Sequence, residues 1–167
     1  MVIPHLVLYL LKHWPKTCTY KELLFINELA KILHCIYVSD FKLVQEPLFK
    51  QLARCLSGSN HVVAKAALEF CTKEHIIGFI HENAEEILPI LLPALFQCSN
   101  RQLYEPIDYI LTELLPQLLN MDPGLFSHCT KQIRATRDKE QLRSEVSEKM
   151  WLKIEVLAKS KAQVSNV

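Results

Sequence analysis

The sequence predicts an all-α protein, an α-solenoid of antiparallel helix pairs with about three repeats and a C-terminal helix. Half of the 167 residues are apolar, and only three are glycine. Three proline-containing segments read alike and recur at intervals of 43 and 42 residues: Ile3–Trp14, Glu46–Ser57 and Leu88–Ser99. A recurrence of about 40 to 47 residues with two helices per unit is typical of HEAT and armadillo arrays, which usually act as binding surfaces.

The first repeat begins with a helix from Pro4 to Trp14. Pro15 ends this helix, because the residue before a proline avoids the helical conformation. Thr19 followed three residues later by Glu22 predicts a capping box, in which each side chain bonds a backbone amide of the first turn. The helix that follows has apolar residues at helical spacing: Leu23, Leu24, Ile26, Leu29, Ile32 and Leu33.

The second repeat begins with a helix that contains Pro47 near its start, and Asp40 is predicted to cap this element. Its apolar stripe predicts the buried face: Leu48, Phe49, Leu52, Ala53 and Leu56. A second helix over about residues 60–72 has a face of small residues that suits close packing. A short segment from Ile76 to Ile80 follows, and Gly78 is predicted to interrupt it.

The third repeat covers about residues 84–120, and its two helices contain ILPILLPALF and IDYILTELLPQLL. Pro93 and Pro116 lie inside these patterns and are predicted to bend or end the helices locally. Asp122 followed by Pro123 predicts the start of another helix, since an aspartate can cap a helix whose first residue is proline.

Charge divides the chain into two predicted parts. Residues 1–130 carry a net charge of −3 and are assigned to HEAT-like helical repeats, whereas residues 131–167 carry +4 and form a basic, mixed-charge C-terminal helix and tail. One side of that helix is apolar: Leu142, Val146, Met150, Trp151, Ile154 and Leu157. This stripe predicts either a cap that closes the solenoid, which is the favoured interpretation, or a helix that binds a partner.

Composition excludes several classes of protein. The apolar start of the chain is too short to span a bilayer and lacks the features of a signal peptide, so no membrane association or secretion is predicted. Six scattered cysteines without a CxxC pair are interpreted as reduced thiols of a protein in the cytoplasm or the nucleus. Three isolated glycines provide no glycine-rich phosphate-binding loop. We therefore predict no cofactor.

The residue pattern favours structural roles over metal binding and catalysis. Cys71 and His75 lie four residues apart on one helix face, but a zinc site needs four ligands and a Cys-His nucleophile needs an orienting group. The acidic pairs Glu85-Glu86 and Glu105-Asp108 are typical of a solvated helix face. The basic residues of the tail are a weak signal for nucleic acid, because acids are interspersed among them. We predict no enzyme, metal site or nucleic-acid interface.

Two segments carry a resemblance to a known family. LLKHWPKTCTYKELLFI, from Leu10 to Ile26, followed by EPLFKQLARCLS, from Glu46 to Ser57, resembles the B-prime family of regulatory subunits of protein phosphatase 2A. Weaker matches continue to the segment Met150–Glu155, so the resemblance covers nearly the whole chain. It corresponds to the C-terminal HEAT-like repeats of the family alone.

The resemblance implies a non-catalytic regulatory subunit that associates with the phosphatase scaffold and catalytic subunits and influences which substrates they reach in signal transduction. In the family, substrates with a Leu-x-x-Ile-x-Glu motif dock on repeats that precede this region, so the chain is predicted to be truncated and to lack that groove. The alternative is a HEAT-type interaction adaptor without phosphatase association. Two departures from the family motivate it: Phe70–Lys73 replaces Phe-Trp-Asn-Asn, and Leu103–Pro106 replaces His-Trp-Asn-Gln.

A solenoid exposes the turns between its helices along one edge, and this edge is where partner contacts are expected. Trp14 is interpreted as a packing residue beneath the first turn, because an aromatic residue beside a helix end usually belongs to the core. The predicted partner-binding residues lie on turns and helix ends: Lys16, Thr17, Lys21, Ser57, Asn60, Lys73 and Glu74.

Overall fold

A computed structural model describes residues 2–99 and 105–164, and every regular element within them is an α-helix. The chain forms two compact units, Met1–Cys129 and Thr130–Val167. The helices are α1 (Val2–Lys12), α2 (Thr19–Leu33), α3 (Val38–Phe41), α4 (Gln45–Ser57), α5 (His61–Cys71), α6 (Glu74–Glu82), α7 (Ala84–Ser99), α8 (Glu105–Met121) and α9 (Pro123–Val164).

Three helix pairs stack in the first unit: α1 with α2, α4 with α5, and α7 with α8. The first helices of the pairs form one layer in the order α1, α4, α7, and the second helices form the other in the order α2, α5, α8. The short helices α3 and α6 connect successive pairs, and the rings of Phe41 and Phe79 stack between them with centroids 4.1 Å apart. The predicted solenoid of three repeats is therefore confirmed.

The centre of the core is the contact of α4 with α7. Most of the stripe predicted for α4 is fully buried, including Leu48, Phe49, Leu52 and Leu56. At the start of α4, the buried side-chain amide of Gln45 donates to the carboxylate of Glu86 in α7.

Several local predictions about helix ends were wrong. Asp40 lies inside α3, and α4 begins at Gln45 after Val44, which forms no side-chain cap. Pro93 and Pro116 lie inside α7 and α8 and do not end them, and local bending of these helices stays a prediction. The predicted start at Asp122 is confirmed, since its carboxylate accepts from the amide of Leu125 over 2.8 Å.

The unit Thr130–Val167 contains the greater part of α9. Leu142 and Met150, two members of the predicted apolar stripe, are 63% and 61% exposed. Both interpretations of the stripe stay predictions. Among the described residues, no helix combines the length and the apolar character that crossing a bilayer requires.

Gly78 lies inside α6, which continues through it from Glu74 to Glu82, so the predicted interruption was wrong. A Cβ atom at this position would meet no atom within 4 Å. We expect Gly78→Ala to raise the free energy of unfolding by about 0.5–1 kcal/mol, because alanine loses less backbone entropy in a helix. Urea denaturation measures the change.

Gly58→Ala is the matched control for this substitution. A Cβ atom there would lie 3.3 Å from the carbonyl oxygens of Arg54 and Cys55, and the backbone at Gly58 is extended rather than helical. We expect no gain at Gly58. A loss of stability in Gly78→Ala would show that α6 is not a regular helix in solution.

Candidate partner-binding site

Two turns of successive repeats meet at one edge of the solenoid and form a cleft. The turn between α1 and α2 supplies one wall, and the turn between α4 and α5 supplies the other. The cleft has a volume of about 430 Å³. Its walls include Trp14, Lys16, Glu22, Gln51, Arg54 and Asn60.

Trp14 anchors the first turn from below. Its side chain is 6% exposed and packs edge-on against Phe25, with ring centroids 5.8 Å apart. Its indole Nε1 donates to Glu22 Oε1 over 3.0 Å. The interpretation of Trp14 as a packing residue is confirmed, and the hydrogen bond additionally fixes the direction in which the turn leaves α1.

The predicted capping box at the start of α2 was wrong. Cys18 occupies the cap position without a side-chain bond, and Thr19 is already the first helical residue. The hydroxyl of Thr19 accepts from Asn60 Nδ2 over 2.7 Å, and the Glu22 carboxylate accepts from Trp14. Thr19 and Glu22 therefore form hydrogen bonds with residues outside α2, and not with the backbone amides at the start of the helix.

Asn60 joins the two turns. Its Oδ1 accepts from the amides of Val62 and Val63 over 3.1 and 3.4 Å, which caps α5, and its Nδ2 donates to Thr19. The asparagine therefore uses both ends of its amide, one within its own repeat and one toward the preceding repeat. This bridge holds the two turns as one edge.

Five of the predicted partner-binding residues lie at this end of their helices. Lys16 and Asn60 line the cleft. Thr17 is exposed in the same turn as Lys16, and Lys21 is exposed in the first turn of α2. Ser57 is half-buried as the last residue of α4. Their role in partner binding stays a prediction.

Lys73 and Glu74 lie at the opposite end of α5, whose 11 residues span about 16 Å. Both are exposed where α6 begins. The adjacent His75 ring contacts the carbonyl of Ala30 in α2 through Nε2 at 3.2 Å and lies perpendicular to the ring of His34. The seven predicted residues therefore divide between two edges and do not form one site.

Sequence analysis did not single out Gln51 or Arg54, which complete the cleft. Gln51 had a detectable signal, because it interrupts the apolar stripe of α4 one residue before Leu52, and it is only 9% exposed. A buried glutamine on an apolar face indicates a polar function or a polar partner. Arg54 had no such signal, since an exposed arginine near a helix end is ordinary.

The geometry of the cysteines does not support the hypotheses of a metal site or a nucleophilic cysteine. Cys71 is fully buried, and burial raises the pKa of its thiol to about 12. Burial also raises the pKa of Cys55 to about 11, and a hydrogen bond from Gln51 partly opposes this rise. A protonated, enclosed thiol is a poor nucleophile and a poor metal ligand. Within residues 2–99 and 105–164, no three His, Cys, Asp or Glu side chains gather as metal ligands.

Thiol labelling should separate the cysteines into two groups. Burial encloses Cys71 and Cys55 and raises the pKa of both thiols, so we expect them to react only on unfolding, whereas exposed Cys35 reacts at once. Labelling with a disulfide reagent, followed by peptide mass spectrometry, measures each rate. Cys35→Ser is the control that removes the fast phase. Rapid modification of Cys71 in folded protein would contradict its burial.

Comparison with known proteins decides the family. The family model described as protein phosphatase 2A regulatory B subunit (B56 family) matches residues 1–158. The chain belongs to the B56 family. The resemblance of WPKT and EPLFKQ to the B-prime regulatory subunits is thereby confirmed.

Curated relatives agree with this assignment. The B56 chain is 42% identical over 154 residues to the 56 kDa regulatory subunit delta isoform of Oryctolagus cuniculus, covering 92% of this chain and 26% of the relative. It is 39% identical over 153 residues to the alpha isoform of Homo sapiens, and the match covers 92% of this chain and 32% of the relative. It is 35% identical to the beta isoform of Mus musculus, and the match covers 92% of this chain and 31% of the relative. The chain thus spans about a quarter to a third of the length of these relatives.

Proposed function

We propose that this B56 chain is a non-catalytic regulatory subunit of protein phosphatase 2A that contributes to targeting of the phosphatase in signal transduction. The observation that carries the proposal is the family match along residues 1–158. The helical architecture supports it, because stacked helix pairs present a continuous edge of turns to a protein partner. The hydrogen bond from Asn60 to Thr19 joins two successive turns of that edge.

The proposed partners are the phosphatase scaffold and catalytic subunits, in the cytoplasm or the nucleus. The chain spans 26% of the length of the delta isoform, and the function that we assign to it is association with the complex. No cofactor, metal, nucleic acid or membrane enters this proposal. A preorganised edge of turns suits such association, since little conformational entropy is lost when it binds.

Co-purification tests the proposal. Tagged chain, first shown by circular dichroism to be helical, is expected to recover both the scaffold and the catalytic subunit from a reconstituted mixture. A helical protein of another family with the same tag is the control. Recovery of neither subunit by a folded chain would reject the proposal and favour the HEAT-type adaptor.

One observation favours the adaptor as the second candidate. Cys71 stands where the family pattern has a tryptophan, and it is fully buried at the end of α5. The replacement therefore changes the packing beneath the turn between α5 and α6. Leu103 and Tyr104, in the other departure, lie outside the described residues. If the adaptor hypothesis holds, adding the chain to the assembled phosphatase should leave both its activity and its composition unchanged.

A further inference from the structure

We propose that the cleft between the first two turns binds an acidic side chain, a carboxylate or a phosphate group, on an extended segment of a protein partner. This inference deepens the proposed function and rests on it only for the statement that the partner is a protein. The cleft volume of about 430 Å³ lies within the range of small-ligand pockets and suits one or two side chains rather than a helix.

The first observation is the charge of the cleft walls. Lys16 and Arg54 both line the cleft, and neither forms an ion pair within the part of the chain that the structure describes. By contrast, Lys50 in α4 pairs with Glu46 over 2.5 Å, and Lys65 in α5 pairs with Glu69 over 2.7 Å. Lys16, on the turn after α1, and Arg54, in the last turn of α4, are two cations on one cleft and favour an anion there.

The second observation is the polar group in the cleft wall. Gln51 is 9% exposed, and its Nε2 donates to Cys55 Sγ over 3.8 Å. A side-chain amide carries two N–H hydrogens, and a thiol sulfur is a weak acceptor. The amide therefore retains donor capacity in a nearly buried position, where a hydrogen-bond acceptor from a ligand would satisfy it.

Two further features of the cleft, the carboxylate of Glu22 and the N-terminus of α5, are compatible with an acidic ligand. Glu22 also lines the cleft, but its Oε1 already accepts from the indole of Trp14, so one engaged carboxylate faces two cations. The cleft also borders the N-terminus of α5, and the positive end of a helix dipole favours negative charge. An acidic ligand is therefore favoured over a basic one.

Trp14 offers a direct reporter of binding. The chain has two tryptophans, Trp14 in the cleft and Trp151 in the other compact unit, and their indole N–H signals are separate probes in a proton–nitrogen NMR spectrum. Three synthetic peptides serve as ligands: one alternating aspartate with alanine, one with phosphoserine at the aspartate positions, and one with lysine there. We expect the two acidic peptides to shift the Trp14 indole and the amides of Ser59 and Asn60. The lysine peptide should leave these signals unchanged.

Substitutions assign the effect to the cations. We expect Lys16→Ala and Arg54→Ala each to weaken binding of the acidic peptides at least about tenfold. Lys50→Ala is the matched control, since it removes a lysine of the same helix that pairs with Glu46, and it should leave the affinity unchanged. Comparison of the aspartate and phosphoserine peptides shows which anion the cleft prefers.

The proposal is overturned if neither acidic peptide shifts the Trp14 indole at concentrations up to about 1 mM in low salt. Equal binding of the lysine peptide, or unchanged binding by Arg54→Ala, would overturn it as well. Its failure is distinguishable from failure of the proposed function: a chain that recovers the phosphatase subunits yet binds no acidic peptide retains its function and loses this site. The converse result keeps the site and rejects the phosphatase role.

Discussion

Replacement of Phe49 by alanine is expected to lower the free energy of unfolding of the repeat unit by about 3–5 kcal/mol. Phe49 is fully buried in α4, the helix that packs against α1, α5 and α7. Removing the ring takes away its burial and leaves a cavity that the surrounding side chains can fill only in part. Urea denaturation followed by circular dichroism measures the change in midpoint.

Lys50→Ala provides the control for this loss, because the residue adjoins Phe49 but is exposed and pairs with Glu46 on the same helix. An exposed pair of this kind contributes between about 0 and 1 kcal/mol. We expect the midpoint to move little in Lys50→Ala. If Phe49→Ala were as stable as Lys50→Ala, the central position of α4 in the core would be wrong.

Much of the fold could be predicted from the sequence because the helices keep their apolar periodicity. The stripe of α4 and the end of α1 before Trp14 both follow from local rules. The start of α4 did not, since Asp40 was predicted to cap this helix and the helix begins later, at Gln45. Local signals therefore give element type well and helix boundaries less well.

The continuity of α7 and α8 through proline has a physical reason. Pro89, Pro93 and Pro116 are all exposed, so each lies on the solvent side of its helix. A proline frees the carbonyl four residues earlier, and on an exposed face water can bond to that carbonyl. The sequence alone does not show which face a proline occupies until the packing of the helix is known.

The candidate site was less predictable than the fold, since it depends on contacts between repeats. Asn60 bonds to Thr19 across 41 residues of sequence, and no local pattern indicates that pairing. Thr19 and Glu22 matched a capping box, yet their partners are Asn60 and Trp14. The period of the repeats predicts that turns line up along an edge, but it does not predict which side chains bond there.

Trp14→Ala should also cost about 3–5 kcal/mol of unfolding free energy, because it removes a buried indole from beneath the first turn. Trp14→Phe separates the two contributions of the side chain. It keeps an aromatic ring against Phe25 and removes the donor to Glu22, so we expect a smaller loss of about 1–2 kcal/mol. Chemical denaturation of both variants provides the measurement.

A double-mutant cycle with Glu22→Ala isolates the hydrogen bond between the indole and the carboxylate. If the 3.0 Å contact holds the turn, Trp14→Phe should cost less in the Glu22→Ala background than in the native chain, because the acceptor is already absent. Additive costs would mean that Trp14 stabilises the turn by packing alone. In that case the cleft wall should keep its shape when Glu22 is replaced, and the amide signals of Ser59 and Asn60 should not move.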